Sequence, residues 1–284
     1  MPDPRKQTSS SVLAGTVDLS RTEYDDIRQM VYDVCRIDLG TGKAKLVTSR
    51  LMKHMRALGL ETFSRYLECV RQDRSGRELA TMVDLLTTNK TGFFRENRHF
   101  EYLRQMILPK QIAAKRRLRL WSAGCSSGEE PFSVGILLRE EIPNLTSWDV
   151  RILGTDISDR VLTKARAAVY EEDALKNIWP SIPPKYFSVA RTMPTRAYRV
   201  ADSVRSLVRF AKLNLMGAWP MKGPFDVIFC RNVMIYFDKP TQQALVRRFW
   251  ELLEPGGHLF VGHSESLAAS ASEFRYVQPA IYVK

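Results

Sequence analysis

The residues of this chain most suited to chemistry lie where a run of small side chains meets carboxylates. Leu118-Arg-Leu-Trp-Ser-Ala-Gly-Cys-Ser-Ser-Gly-Glu-Glu-Pro131 reads as a strand entering a small-residue loop, with a helix opening at Pro131, a favoured first helical position. Small residues let a ligand approach the backbone, whose N–H groups can face it. A glycine-rich turn of this kind could serve a dinucleotide, a nucleotide phosphate or nothing beyond a tight turn. Glu129 and Glu130 follow directly. They would repel a pyrophosphate and favour a ligand carrying an ammonium and a sulfonium group. Asp156, closing Gly154-Thr-Asp156, is expected at the tip of the next strand, where doubly wound folds bind ribose hydroxyls. Its competing reading is a helix cap before Ile157-Ser158. Asp226, on a later strand, is expected to be structural.

Other reactive side chains are scattered. Cys35, Cys69, Cys125 and Cys230 form neither CxxC pairs nor a His cluster, so they read as reduced thiols and no metal set is expected. No histidine stands near Cys125 or Cys230 to activate a nucleophile. His99 has no spaced partner, and His263 is expected to be a structural hydrogen-bonder at a strand end.

The elements that must position these groups follow from periodicity. Residues 1–17 are polar and Ser/Thr-rich and read as a disordered tail. Behind a Ser20 or Thr22 cap, Tyr24, Ile27, Met30, Val31 and Val34 recur at helical spacing. Further helices are expected at about 45–58, with Leu46, Leu51, Met55 and Leu58 on one face, and at 62–72 and 76–86. No strand pattern precedes residue 118, so residues 18–88 read as a small all-helical domain. After a connecting helix at about 97–114, apolar runs at 117–123, 150–156, 208–212, 227–230, 258–262 and 280–283 alternate with helical patterns at 131–141, 158–168 and 240–253. This alternation predicts an α/β fold over 89–284, a doubly wound, mostly parallel sheet. Residues 186–210 alternate without a helical period and predict a small antiparallel β insertion.

Charge narrows the partners. The net charge of +12 splits into +2 over residues 1–85, +7 over 86–119, +5 over 171–222 and −2 over the rest. Such a chain attracts an acidic partner. Aromatics do not interleave with the basic runs as on RNA-stacking surfaces, so no nucleic acid is expected. No apolar run approaches the ~20 residues of a bilayer span, and MPDPRKQTSSS has no signal core. A cytoplasmic monomer without membrane insertion is expected.

Four stretches together carry a specific resemblance: Thr87-Thr-Asn-Lys-Thr-Gly-Phe-Phe-Arg-Glu96, Trp121-Ser-Ala-Gly-Cys-Ser-Ser-Gly-Glu-Glu-Pro131, Phe229-Cys-Arg-Asn-Val-Met-Ile-Tyr-Phe237 and Gly262-His-Ser-Glu265. In order and spacing, from about residue 19 onward, the chain resembles the CheR family of chemotaxis receptor glutamate methyltransferases. The resemblance implies S-adenosylmethionine as cofactor. It also implies that Asn89, Thr91 and Arg95 contact its methionine part and reacting end, Glu129 its amino group and Asp156 its ribose. Asn214 and Leu215 would flank the adenine, Arg231 and Asn232 would close the pocket, and Tyr236 would sit beside the methyl acceptor.

Methyl transfer to a glutamate needs no general base, because a carboxyl with pKa near ~4.3 is already ionised at neutral pH. Arg95 and Tyr236 are the candidates to hold that carboxylate. The basic cluster Arg50, Lys53 and Arg56 falls along one side of the second helix. In the family the corresponding helix faces the acidic, glutamate-bearing receptor coiled coil, although a basic run is also an ordinary solvated face. Some members grip a receptor tether peptide through a glycine-rich β insertion. Here Ala190-Arg-Thr-Met-Pro-Thr-Arg-Ala-Tyr lacks glycine and contains Pro194, which argues against tether binding. A same-fold methyltransferase acting on RNA or another protein, and a non-catalytic cofactor-binding adaptor, stand as the alternatives.

Overall fold

The structure is a computed structural model that describes residues 18–114, 116–176, 178, 184–267 and 273–284. The stretch 1–17, read above as a tail, lies outside the described residues. The chain divides into two compact units, one of residues 1–28 and 40–86 and one of residues 29–39 and 87–284.

In the first unit, α1 (Arg21–Cys35) begins with a reciprocal cap. The Ser20 N–H donates to Glu23 Oε2 at 2.9 Å, and the Glu23 N–H donates to Ser20 Oγ at 3.3 Å. Three helices follow: α2 (Ala44–Ala57), α3 (Phe63–Gln72) and α4 (Arg77–Leu86). The buried stripe of α2 is Val47, Leu51 and Met55, at i, i+4 and i+8. Leu46 and Leu58, placed on that face from the sequence, are exposed. Leu46 lies about 100° around the helix from Val47, and Leu58 is the C-cap beyond the last residue of α2.

The second unit opens its sheet region after α5 (Arg98–Tyr102), a π-helical turn (Leu103–Ile107) and α6 (Leu108–Ala114). In chain order come β1 (Arg117–Ala123), α7 (Glu129–Glu141), β2 (Asp149–Asp156), α8 (Asp159–Ala167), β3 (Val169–Glu171), β4 (Phe187–Arg191), β5 (Ala197–Val200) and α9 (Asp202–Arg205). Then follow β6 (Val208–Lys212), β7 (Phe225–Cys230), α10 (Lys239–Leu252), β8 (Leu253–Val261), β9 (Arg275–Gln278) and β10 (Ile281–Val283). The main sheet runs β6-β2-β1-β7-β8-β10-β9. Its first five strands are parallel, and β10 and β9 are antiparallel additions. A separate antiparallel sheet has the order β3-β5-β4. It draws its third strand from residues 169–171, upstream of the alternating stretch, while 208–212 joins the main sheet.

Alternation along the strands sorts the core into two layers. Leu118, Leu120, Val227, Phe229 and Phe260 belong to one apolar cluster. Trp121, Ala123, Ile228, Cys230, Leu259 and Val261 belong to the other. Strand order reverses direction between β1 and β7, which opens a crevice beyond the carboxyl ends of β1, β2 and β7. Among the described residues, no helix is long and apolar enough to cross a membrane.

Candidate active site

The loop after β1 is shaped by backbone that only glycine adopts easily. Gly124 and Gly128 have φ of +81° and +95°. A Cβ on Gly124 would lie 2.5 Å from Val233 Cγ2, so the chain after β7 presses directly on this turn. The Gly124 and Cys125 N–H groups donate to Thr155 O at 2.8 and 2.9 Å, fastening the loop to the end of β2.

Asp156 completes that fastening. Its Oδ2 accepts the Ser126 N–H at 2.9 Å and its Oδ1 the Ser158 N–H at 3.0 Å, with the residue 8% exposed. The cap of α8 is instead Ser158, whose hydroxyl accepts from Val161 N. Each carboxylate oxygen has a second lone pair, so Asp156 can hold the loop and still accept a hydroxyl.

The helix after the loop starts at Glu129, two residues earlier than Pro131 suggested. Both glutamates therefore occupy its first turn, where the helix dipole favours negative charge. The two side chains part company. Glu129 is 7% exposed, accepts the Ser127 hydroxyl at 2.8 and 3.0 Å and its own backbone N–H, and feels Lys164 only at longer range. Among the described residues no cation pairs with it, and burial raises its carboxyl above the usual range, against the Ser127 hydrogen bond. A buried carboxylate without a counterion fits a ligand ammonium, and close-approach glycines beside it fit a ligand body.

Glu130 turns the other way, accepting from Ser122 Oγ at 2.6 Å and from Arg231 at 2.8 Å. Arg231, 7% exposed, also reaches Glu96 Oε2 at 3.0 Å and the carbonyl of Arg95. One guanidinium thus ties the TTNKTGFFRE stretch, α7 and the end of β7 together. Asn232, at φ +58°, donates its side-chain amide to Glu96 Oε1 at 3.2 Å and its backbone N–H to Glu265 Oε2 at 2.8 Å. Glu265 further accepts the N–H groups of Ile235, at 3.1 Å, and Gly262. The sequence grouped Glu130 with Glu129 as a carboxylate favouring a cationic ligand, whereas its charge is taken up by Arg231, and it assigned no role to Glu265. The only available signals were the Glu129-Glu130 doublet and the final residue of Gly-His-Ser-Glu.

The remaining candidates take varied positions. Asn89 lies against the glycine loop through its carbonyl, which accepts Ser126 Oγ at 2.9 Å, and Thr91 is half-buried in the same segment. Arg95 donates to Lys90 O at 2.7 Å, folding that segment on itself. Tyr236 is half-buried in a 3-10 turn, Met234–Tyr236, just after Asn232. The Asn214 side chain is engaged, donating to Val34 O at 2.6 Å and accepting from Met216 N at 3.0 Å. Leu215 joins the apolar cluster of Trp121 and Met234. Within the first unit, Lys53 and Arg56 are exposed, whereas Arg50 is half-buried and donates to Leu86 O at 2.7 Å, capping α4. The thiols of Cys125 and Cys230 are pushed well above their ordinary value by burial, then by nearby carboxylates, and are not nucleophiles.

A sequence profile described as "CheR methyltransferase, SAM binding domain" matches residues 89–283, and one described as "CheR methyltransferase, all-alpha domain" matches 22–87. The chain belongs to the CheR methyltransferase family. A protein named probable chemotaxis protein methyltransferase from Rhizobium etli is 45% identical over 85% of this chain and 91% of its own length. Chemotaxis protein methyltransferase 2 of Pseudomonas aeruginosa is 41% identical over 93% of both chains. The chemotaxis protein methyltransferase of Escherichia coli is 38% identical, over 93% of this chain and 91% of its own. The chain is an S-adenosylmethionine-dependent methyltransferase of this family.

Proposed function

We propose that the protein esterifies glutamate side chains on the cytoplasmic coiled coil of chemoreceptors, acting as a monomer in the cytoplasm. The observation that carries the site assignment is Glu129: a buried carboxylate beside the glycine loop with no ion pair among the described residues. It binds the amino group of S-adenosylmethionine, and Asp156 accepts a ribose hydroxyl. Asn89 and Thr91 line the methionine side, Leu215 and the backbone at Asn214 the adenine side, and Arg231 and Asn232 fix the wall after β7. Bound there, the cofactor supplies an electrophilic methyl on a sulfonium.

The protein's share of the work is placement. An incoming glutamate is already ionised, so Arg95 and Tyr236 need only orient its carboxylate without quenching it, while the crevice excludes water. Arg95 is suited to this because its bond to Lys90 O uses one of five donors. Acidic receptor helices are met by α2, where Lys45, Lys53 and Arg56 outnumber Asp18 along a groove of about 680 Å³.

The test is methylation of receptor-containing membranes with tritiated S-adenosylmethionine. Label released by mild alkali, as an ester is, and lost with Asp156→Ala is the expected result. Alkali-stable label, as on nitrogen or ribose, or label on RNA, would replace this reading with another acceptor.

A further inference from the structure

His99 is 0% exposed, and neither of its ring nitrogens has a hydrogen-bond partner. Leaving a buried polar nitrogen unpaired costs about 1–3 kcal/mol, so such an atom calls for an explanation. Its surroundings supply one. Nδ1 stands 3.6 Å from Glu96 Oε2, too far for a hydrogen bond but suited to two ligands sharing one ion. The exposed ring of His263 lies edge-on to His99, with centroids 5.0 Å apart and planes at 67°. One donor atom from each of Glu96, His99 and His263 lies within 4.8 Å of the other two. Residue spacing hid this set, because His263 follows β8, far along the chain from Glu96 and His99.

We propose that Glu96, His99 and His263 bind one divalent d-block cation, zinc by preference. Two imidazoles and a carboxylate form a three-ligand set for zinc that leaves a further position open. Tetrahedral zinc places its donors about 3.3 Å apart. Rotation of the exposed His263 side chain closes the remaining gap, while buried His99 stays fixed. Glu96 is already oriented by Asn232 on Oε1 and Arg231 on Oε2, the kind of outer support that ligating carboxylates use. His263 also borders a cleft of about 580 Å³ with Glu101, Tyr102 and Gln105, which gives an ion its route in and leaves room for water on the open position. Arg231, sharing Glu96 Oε2, opposes a dication, so the ion exchanges rather than staying as a permanent structural part. The proposal does not rest on the methyl-transfer reading, although Arg231 and Asn232, which fix the wall after β7, also hold Glu96.

The experiment uses the full chain without an affinity tag, stripped with chelator and titrated with zinc chloride in a calorimeter. A parallel titration with Co²⁺ reads the visible absorption of a four- or five-coordinate ion. One saturable equivalent is expected. His263→Ala should weaken zinc at least about tenfold and abolish the cobalt spectrum, without changing the thermal midpoint, since its side chain is exposed. His99→Gln should do the same; if it fails to fold, His263→Ala decides alone. Absence of a saturable site, or wild-type zinc affinity in His263→Ala, overturns the proposal.

Discussion

Glu129 is held where its charge is expensive, and that sets a pH dependence. Burial raises its carboxyl above the ordinary value. An acid raised in the folded state favours folding below its unfolded pKa, and that contribution disappears as pH rises through the folded one. Cofactor binding runs oppositely, because a ligand ammonium needs the ionised form. Affinity for S-adenosylhomocysteine, measured by calorimetry from pH 8 downward, should fall as pH drops through a pKa above the usual carboxylate range. Glu129→Gln should bind roughly 10- to 100-fold more weakly at pH 8, the loss expected for a charged hydrogen bond, and should lose that pH dependence. A flat wild-type profile would remove Glu129 from the ammonium's neighbourhood. Glu129 and Asp156 were legible as candidates because each closes a local pattern, strand into loop. The pairing of Glu130 with Arg231 was not legible, because the two lie 101 residues apart. Glu265 gathers backbone N–H groups, which carry no sequence signature at all.

At the scale of elements, the turn after β1 and the residues after β7 share one space. Gly124→Ala must adopt φ near +81° and meet Val233, which should cost about 2–4 kcal/mol in denaturant unfolding. Adding Val233→Ala should recover the steric part and leave the backbone part. A Gly124→Ala chain as stable as wild type would show that the turn relaxes. β7 was readable because burial on both faces makes Val227–Cys230 a continuous apolar run, while β1, β2 and β6 showed as shorter apolar stretches among polar residues. β3 and β9 escaped notice. They are three and four residues long and partly exposed, so they carry little periodic signal. The start of α7 was misplaced because Pro131 marks a favoured position, while the actual start is set by Gly128 in its left-handed conformation.

At the scale of the whole molecule, the larger unit takes in a segment of the first helix and the residues after it as well as the chain from residue 87 on. Residues 29–39 belong to the larger unit. Val34 O accepts from Asn214 at 2.6 Å, the Asp38 N–H donates to Tyr236 O at 2.8 Å, and the Tyr32 hydroxyl meets Asp238. A fragment 89–284 loses the partners of two loops that border the crevice. Its thermal midpoint should fall by roughly 5–10 °C below the matching transition of the intact chain, as three lost hydrogen bonds of about 1 kcal/mol each would produce. Equal midpoints would mean the first helix contributes nothing to that unit. No periodicity could have disclosed this, since α1 reads as one uninterrupted helix.

The Arg231 tie has a consequence for a chain still being made. Its carbonyl and carboxylate partners at Arg95, Glu96 and Glu130 emerge from the ribosome 101 to 136 residues ahead of it. Until it follows, two carboxylates wait in an unfinished crevice with no cation between them, and loops of that length must close before any reward arrives. Competence to take up cofactor is therefore a late event in synthesis, and a polypeptide stalled before residue 231 should remain unable to sequester the methyl donor.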